Sequence, residues 1–180
     1  MTGTEYAGSV LRVFLVGFMG AGKTATGKAL ARRIAAPFWD LYERIEAVVG
    51  MRVPEIFASR GEAFFREEES RQLALAAAQP RLVVATGGGT FVQDANRETI
   101  GRLGLSVFLD PPWEEVLRRL PGKREERPLF RTPEAALDLF RSRLPAYKLA
   151  DFRLTPERGE DAEAVAGRLL ILLERSRCAT

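Results

Sequence analysis

The sequence predicts an α/β fold, a five-stranded parallel sheet flanked by helices, in a single domain over residues 1–180. Three observations carry that prediction. Short apolar runs rich in β-formers alternate along the chain with longer stretches of helical composition, and strands separated by helices imply a parallel sheet covered on both faces. The first and third apolar runs each end in a glycine-rich turn. With 180 residues, 46% of them apolar, the chain has about one domain's length and enough apolar side chains for a real core.

The elements follow in order. Leu11–Val16 is an apolar strand that ends at Gly17, and the glycine-rich stretch after it leads into a helix over Ala25–Ala35. Pro37–Leu41 is a weaker second strand. Helical stretches at Tyr42–Val49 and Pro54–Ser59 are punctuated by Gly50 and Gly61, and from Glu62 to Gln79 charged residues alternate with Leu and Ala at helical spacing until Pro80 stops the helix. Arg81–Thr86 is the third strand and runs straight into Gly87-Gly88-Gly89; Leu105–Asp110 is the fourth, closed by Pro111-Pro112. A helix over Trp113–Leu120 precedes Pro121–Thr132, whose dense charge and lack of core residues predict a mobile excursion. Pro133 opens a helix to about Ala150, Phe152–Leu154 is a minimal fifth strand, and Asp161–Glu174 is a C-terminal amphipathic helix. No repeat or linker divides the chain.

Composition removes whole classes of chemistry. There is no His, which excludes His acid–base catalysis, Ser-His-Asp triads and His-ligated metals. The single Cys178 excludes an intrachain disulfide framework and a Cys-cluster zinc site, and a reducing cytoplasmic setting follows. A net charge of +3 does not announce a nucleic-acid partner, although four of the 27 cations are Lys and the remaining 23 are Arg, the side chain suited to clamping carboxylates and phosphates. The first apolar run contains Arg12 and is too short for a membrane span, and nothing before it has the pattern of a signal segment.

Gly17-Phe18-Met19-Gly20-Ala21-Gly22-Lys23-Thr24 fits G-x-x-x-x-G-K-[ST], directly after a strand and at the start of a helix. Glycines let successive N–H groups face an anion, the helix N-terminus adds partial positive charge, Lys23 reaches the β/γ-phosphates and Thr24 holds Mg²⁺. Gly20, Ala21, Gly22, Lys23 and Thr24 are therefore the expected ATP site. No N-K-x-D guanine-reading sequence and no motor-type acidic pair occurs. Asp40, at the end of the second strand, is the candidate for orienting the metal's water shell; a helix N-cap is its open alternative. A triple glycine beyond the third strand lets a substrate approach bare backbone amides.

With these motifs in place, the chain resembles the shikimate kinase family, within the nucleoside-monophosphate-kinase-like P-loop group. The segments that carry the resemblance are GFMGAGKT, PEIFASRGEAFFREEE, ATGGGTFV, ERPLF and RLPAY, in that order along nearly the whole sequence. The resemblance implies substrate-binding helices at about 41–79 and a lid at about 121–132. It implies that Asp40, Arg66, Gly87, Gly88 and Arg143 hold the acceptor, and that Arg127 of the lid binds ATP and places a cation on the transferring phosphoryl group. Two guanidiniums converging on one carboxylate is sound chemistry for an anionic acceptor. Pairing of Arg66 with Glu69 and of Arg143 with a surface acid remain open alternatives. Adenine contacts are expected near Arg119 and in the loop at 155–160.

One position departs from the family. Its F-x-D-x-D-x-x-I-E reads here Phe38-Trp39-Asp40-Leu41-Tyr42-Glu43-Arg44-Ile45-Glu46, so Tyr42 replaces the aspartate that the resemblance makes the acceptor's base. A phenol with an ordinary pKa of about 10 is a poor base at neutral pH. Substitution by Glu43 or Glu46 is the open alternative. The expected function is Mg²⁺-dependent transfer from ATP to a shikimate hydroxyl, giving shikimate 3-phosphate on the route to chorismate and aromatic amino acids. The expected enzyme is a cytoplasmic monomer without nucleic-acid or membrane partners. The alternatives are a kinase-like small-molecule sensor with impaired catalysis and a kinase for another polyhydroxy acid.

Overall fold

The computed structural model describes residues 11–119 and 132–177. Strands β1 (Leu11–Val16), β2 (Phe38–Asp40), β3 (Arg81–Ala85), β4 (Leu105–Leu109) and β5 (Phe152–Leu154) pair in the order β2-β3-β1-β4-β5. Every pairing is parallel. The helices are α1 (Lys23–Arg33), α2 (Leu41–Val49), α3 (Val53–Ala74), α4 (Asp94–Leu103), α5 (Trp113–Arg119), α6 (Pro133–Tyr147) and α7 (Ala162–Arg177).

Central β1 is apolar at nearly every position because both its faces are covered, as parallel sheets require. Alternate residues feed two cores. Leu11, Val13 and Leu15 pack with Leu30 and Ile34 of the α1 side and Val165, Leu169 and Leu173 of α7. Phe14 and Val16 point the other way, into Leu73, Phe91, Ile100, Ala136 and Tyr147. A third, smaller cluster of Ile45, Val53, Ile56 and Phe65 joins α2 to α3, so this helix pair carries a core of its own beside the sheet.

The sheet is as expected, and so are its covering helices apart from α4; the boundaries differ for physical reasons. Helix α1 starts at Lys23 because Gly22, at φ +94, turns the chain into it. Gly61, at φ 80 and ψ 170, kinks α3, and the helix ends at Ala74, where a 3₁₀ turn over Leu75–Ala78 takes the chain to Pro80. The unforeseen element is α4. Its sequence DANRETIGRL buries only Asn96 and Ile100, too sparse a stripe to show helical periodicity. The excursion expected at 121–132 is described only at Thr132, whose side chain caps α6 by accepting from Ala135 N at 3.1 Å. Arg127 and Cys178 lie outside the described residues.

At the N-terminal end of the sheet, Arg12 of β1 ties the 3₁₀ turn before β3 to the end of α4. Its guanidinium donates to the carbonyls of Gln79, Leu103 (3.0 Å) and Ala77 (2.8 Å). At the opposite end the loops after β1, β2 and β3 open around a cavity.

Candidate active site

The loop after β1 is built to hold an anion. Gly20 (φ 78) and Gly22 (φ 94) occupy the left-handed region where a side chain would strain the backbone. No side chain caps α1 and no acid stands in its first turn, so the first N–H groups of the helix and the positive end of its dipole face the loop uncompensated. Lys23 is buried, and its Nζ donates to the carbonyls of Gly17 and Phe18 at 2.8 Å each, which sets the ammonium at the neck of the bend. Ala21, within the loop, is buried.

The cavity beyond the loop has a volume of about 670 Å³. Gly20, Gly22, Lys23 and Thr24 line one side; Asp40, Tyr42, Thr86, Gly87 and Gly88 line the other, with Arg52 and Arg119 also in the wall. Asp40 serves both roles weighed for it. One oxygen accepts from the backbone N–H of Tyr42 at 3.0 Å, capping α2, and the other accepts from Thr24 Oγ1 at 2.7 Å. A hydroxyl and a carboxylate joined over the phosphate loop are hard oxygen donors of the kind Mg²⁺ takes while keeping most of its waters. Arg119 lies against the loop, its guanidinium 3.4 Å from the Gly20 carbonyl. The loop at 155–160 is not part of the cavity wall.

The triple glycine after β3 is close to side chains along its length. A Cβ added at Gly87 would fall 2.6 Å from a Tyr42 ring carbon, one at Gly88 3.3 Å from an Arg143 nitrogen, and one at Gly89 within 2.6 Å of the Arg66 guanidinium. Arg66 also holds its i+3 partner: it donates to Glu69 at 2.8 Å and to Glu62 at 2.9 Å. Glu69 is fully buried and accepts from Thr90 Oγ1 as well. Arg143 is buried rather than paired at the surface, and hydrogen-bonds to the Tyr147 hydroxyl, which itself donates to the Gly88 carbonyl. Burial pushes the Tyr147 phenol far above its usual pKa, against the opposing pull of the Arg143 charge.

Arg66 and Arg143 are thus gathered at the glycine turn, yet neither belongs to the cavity wall. Glu69, weighed only as a partner of Arg66, and Thr90 and Tyr147, absent from the expected site, form its inner support. Their sequence signals are their places at the end of PEIFASRGEAFFREEE, within ATGGGTFV and at the end of RLPAY. Of the substitutes weighed for the missing aspartate, Glu46 is engaged by Val53 N at 2.8 Å and lies 3.6 Å from Arg52. Glu43 is exposed, 3.9 Å from Lys28.

Comparison with known proteins agrees with this geometry. The sequence profile "SKI: Shikimate kinase" matches residues 19–174. The shikimate kinase of Ruegeria pomeroyi is 42% identical over 164 residues, covering 89% of this chain and 84% of that protein. That of Synechococcus elongatus is 44% identical over 163 residues, with 89% and 85% covered. Among solved structures, shikimate kinase from Acinetobacter baumannii in complex with shikimate superposes with a TM-score of 0.90 at 32% identity, covering 97% of this chain and 98% of that one. A Mycobacterium tuberculosis APS kinase, at 18% identity and a TM-score of 0.60 over 92% and 98% of the two chains, shares the fold.

Proposed function

This chain belongs to the shikimate kinase family, and on that premise we propose that it transfers the γ-phosphoryl group of ATP to a ring hydroxyl of shikimate, giving shikimate 3-phosphate. The observation that carries the proposal is the meeting, in one cavity, of the uncapped α1 N-terminus with Lys23 and the Gly87–Gly88 edge behind which Arg66 and Arg143 stand.

Phosphoryl transfer is mostly positioning and charge stabilisation, and the residues present suit both. The N–H groups of Gly20, Ala21 and Gly22 cradle the phosphates, and Lys23 compensates the charge that builds on the transferring group. Thr24 and Asp40 would hold Mg²⁺, which when bound neutralises charge between the β- and γ-oxygens. Gly87 and Gly88 let the acceptor approach the backbone, and Arg66 and Arg143 are the guanidiniums for its carboxylate. Arg127, outside the described residues, carries the lid role that the family resemblance assigns to it. Among the described residues no helix is long and apolar enough to cross a membrane.

The test is ADP release from purified protein with ATP, Mg²⁺ and shikimate. Turnover above the ATP-only background is expected, and its absence overturns the assignment. Tyr42 is the one observation that favours the second reading, a sensor that binds the acid without phosphorylating it. Tyr42→Asp restores a carboxylate and should raise kcat by up to about 10²–10⁴-fold if proton removal limits the step. An unchanged kcat would show that the proton leaves by another route.

A further inference from the structure

The two guanidiniums at the glycine turn are not electrostatically alike. Arg66 already has its counter-ions: Nη1 donates to buried Glu69 at 2.8 Å, and Nε and Nη2 donate to Glu62 at 3.2 and 2.9 Å. Thr90 Oγ1 fixes Glu69 in turn. Arg143 is equally withdrawn from solvent, 9% exposed, yet among the described residues no carboxylate pairs with it. Its partner is the neutral Tyr147 phenol, one helical turn further along α6, whose own proton goes to the Gly88 carbonyl. The Tyr147 ring is stacked on Phe108, 5.2 Å between centroids, so the phenol is held in place. Access differs as well. A Cβ at Gly88, which lines the cavity, would lie 3.3 Å from Arg143 Nη1, whereas Arg66 stands against Gly89, which does not line it. A buried cation without a counter-ion is costly to keep. One retained beside a ligand cavity lacks the anion that the ligand brings.

Resting on the function proposed above, we propose that Arg143 is the specificity-determining residue that reads the negative charge of the acceptor, while Arg66, its charge balanced by Glu69, acts there as a hydrogen-bond donor alone. Three of the five N–H groups of Arg66 are engaged by the two acids, which leaves two for a ligand and no net charge to offer it. Arg143 offers both donors and charge, and the Tyr147 hydroxyl orients it at the turn. An acceptor whose carboxylate is exchanged for a neutral group of similar shape therefore loses the charge-assisted bond to Arg143. That loss corresponds to roughly 10- to 150-fold in affinity.

The experiment is calorimetric titration of shikimate and of its carboxamide, the same ring with a neutral head group, into the full chain with ADP and Mg²⁺. The readout is the ratio of the two affinities, which a general loosening of the site leaves alone. Wild type should prefer the acid by roughly 10- to 150-fold. Arg143→Gln should bring the ratio to within about threefold of unity. Arg66→Gln combined with Glu69→Gln removes one charge of each sign, and should keep the ratio within about threefold of wild type even as absolute affinity falls. A ratio that survives in Arg143→Gln, or collapses in the double variant, overturns the proposal. Should Arg143→Gln fail to fold, Arg143→Met takes its place under the same criterion. Should the double variant fail, Arg66→Lys replaces it, keeping the cation beside Glu69 without the planar fork, and a drop beyond about threefold again overturns the proposal. If wild type binds neither compound, the acceptor assignment itself falls and this inference with it; equal affinity for the two overturns this inference alone.

Discussion

Asp40 joins two functions in one carboxylate, and two substitutions separate them. Asp40→Asn keeps an N-cap acceptor for Tyr42 N but removes the charge beside Thr24, so kcat should fall while the urea midpoint barely moves. Asp40→Ala removes both and should cost about 1 kcal/mol of stability in addition, read as a Tm lowered by about 2–4 °C. Tyr147 predicts a pH effect. Its phenol is held protonated in the folded chain by burial, whereas the unfolded phenol ionises near pH 10. Below that pH the unfolded and folded states carry the same proton and stability is intact. Above it the unfolded state binds fewer protons, so stability should fall by about 1.4 kcal/mol per pH unit. Urea unfolding at about pH 9 and about pH 11 should show this slope in wild type and its loss in Tyr147→Phe. At this scale the phosphate loop was legible because a fixed spacing encodes a fixed geometry. The Arg66–Glu69 pair was legible as an i, i+3 spacing; that Thr90 and Tyr147 join it at the glycine turn was not, because segments distant in sequence meet only on folding.

Elements were legible in proportion to how apolar their buried faces are. The strands show themselves because parallel strands covered on both sides are near-continuous apolar runs, and even three-residue β5 carries Phe152 and Leu154. Helix α4 hides because a buried Asn96 takes the place of an apolar residue. Helix α3 tests how much its kink matters. Gly61 has open space around it, yet φ 80 with ψ 170 is a region essentially reserved for glycine. Gly61→Ala should therefore cost about 1–3 kcal/mol through the backbone alone, seen in chemical denaturation. A cost near zero would mean that the kink relaxes and α3 straightens, which would carry Arg66 away from Gly89.

For the whole molecule, the sheet order places β1 between β3 and β4, so the loops leaving β1 and β3 border one crevice at the carboxyl ends of the strands, where open α/β sheets bind ligands. A nucleotide held there binds the folded chain alone, and ADP with Mg²⁺ at 100 times its Kd should add about 2.7 kcal/mol, measurable as a raised Tm. An unmoved Tm would contradict the phosphate site. At the other end of the same strands, Arg12 clips the carbonyls of Ala77, Gln79 and Leu103 into a single knot. The two poles thereby answer to different demands, anchorage below and turnover above. Engineering for heat tolerance belongs at the anchored pole, where reinforcement leaves the cavity residues untouched.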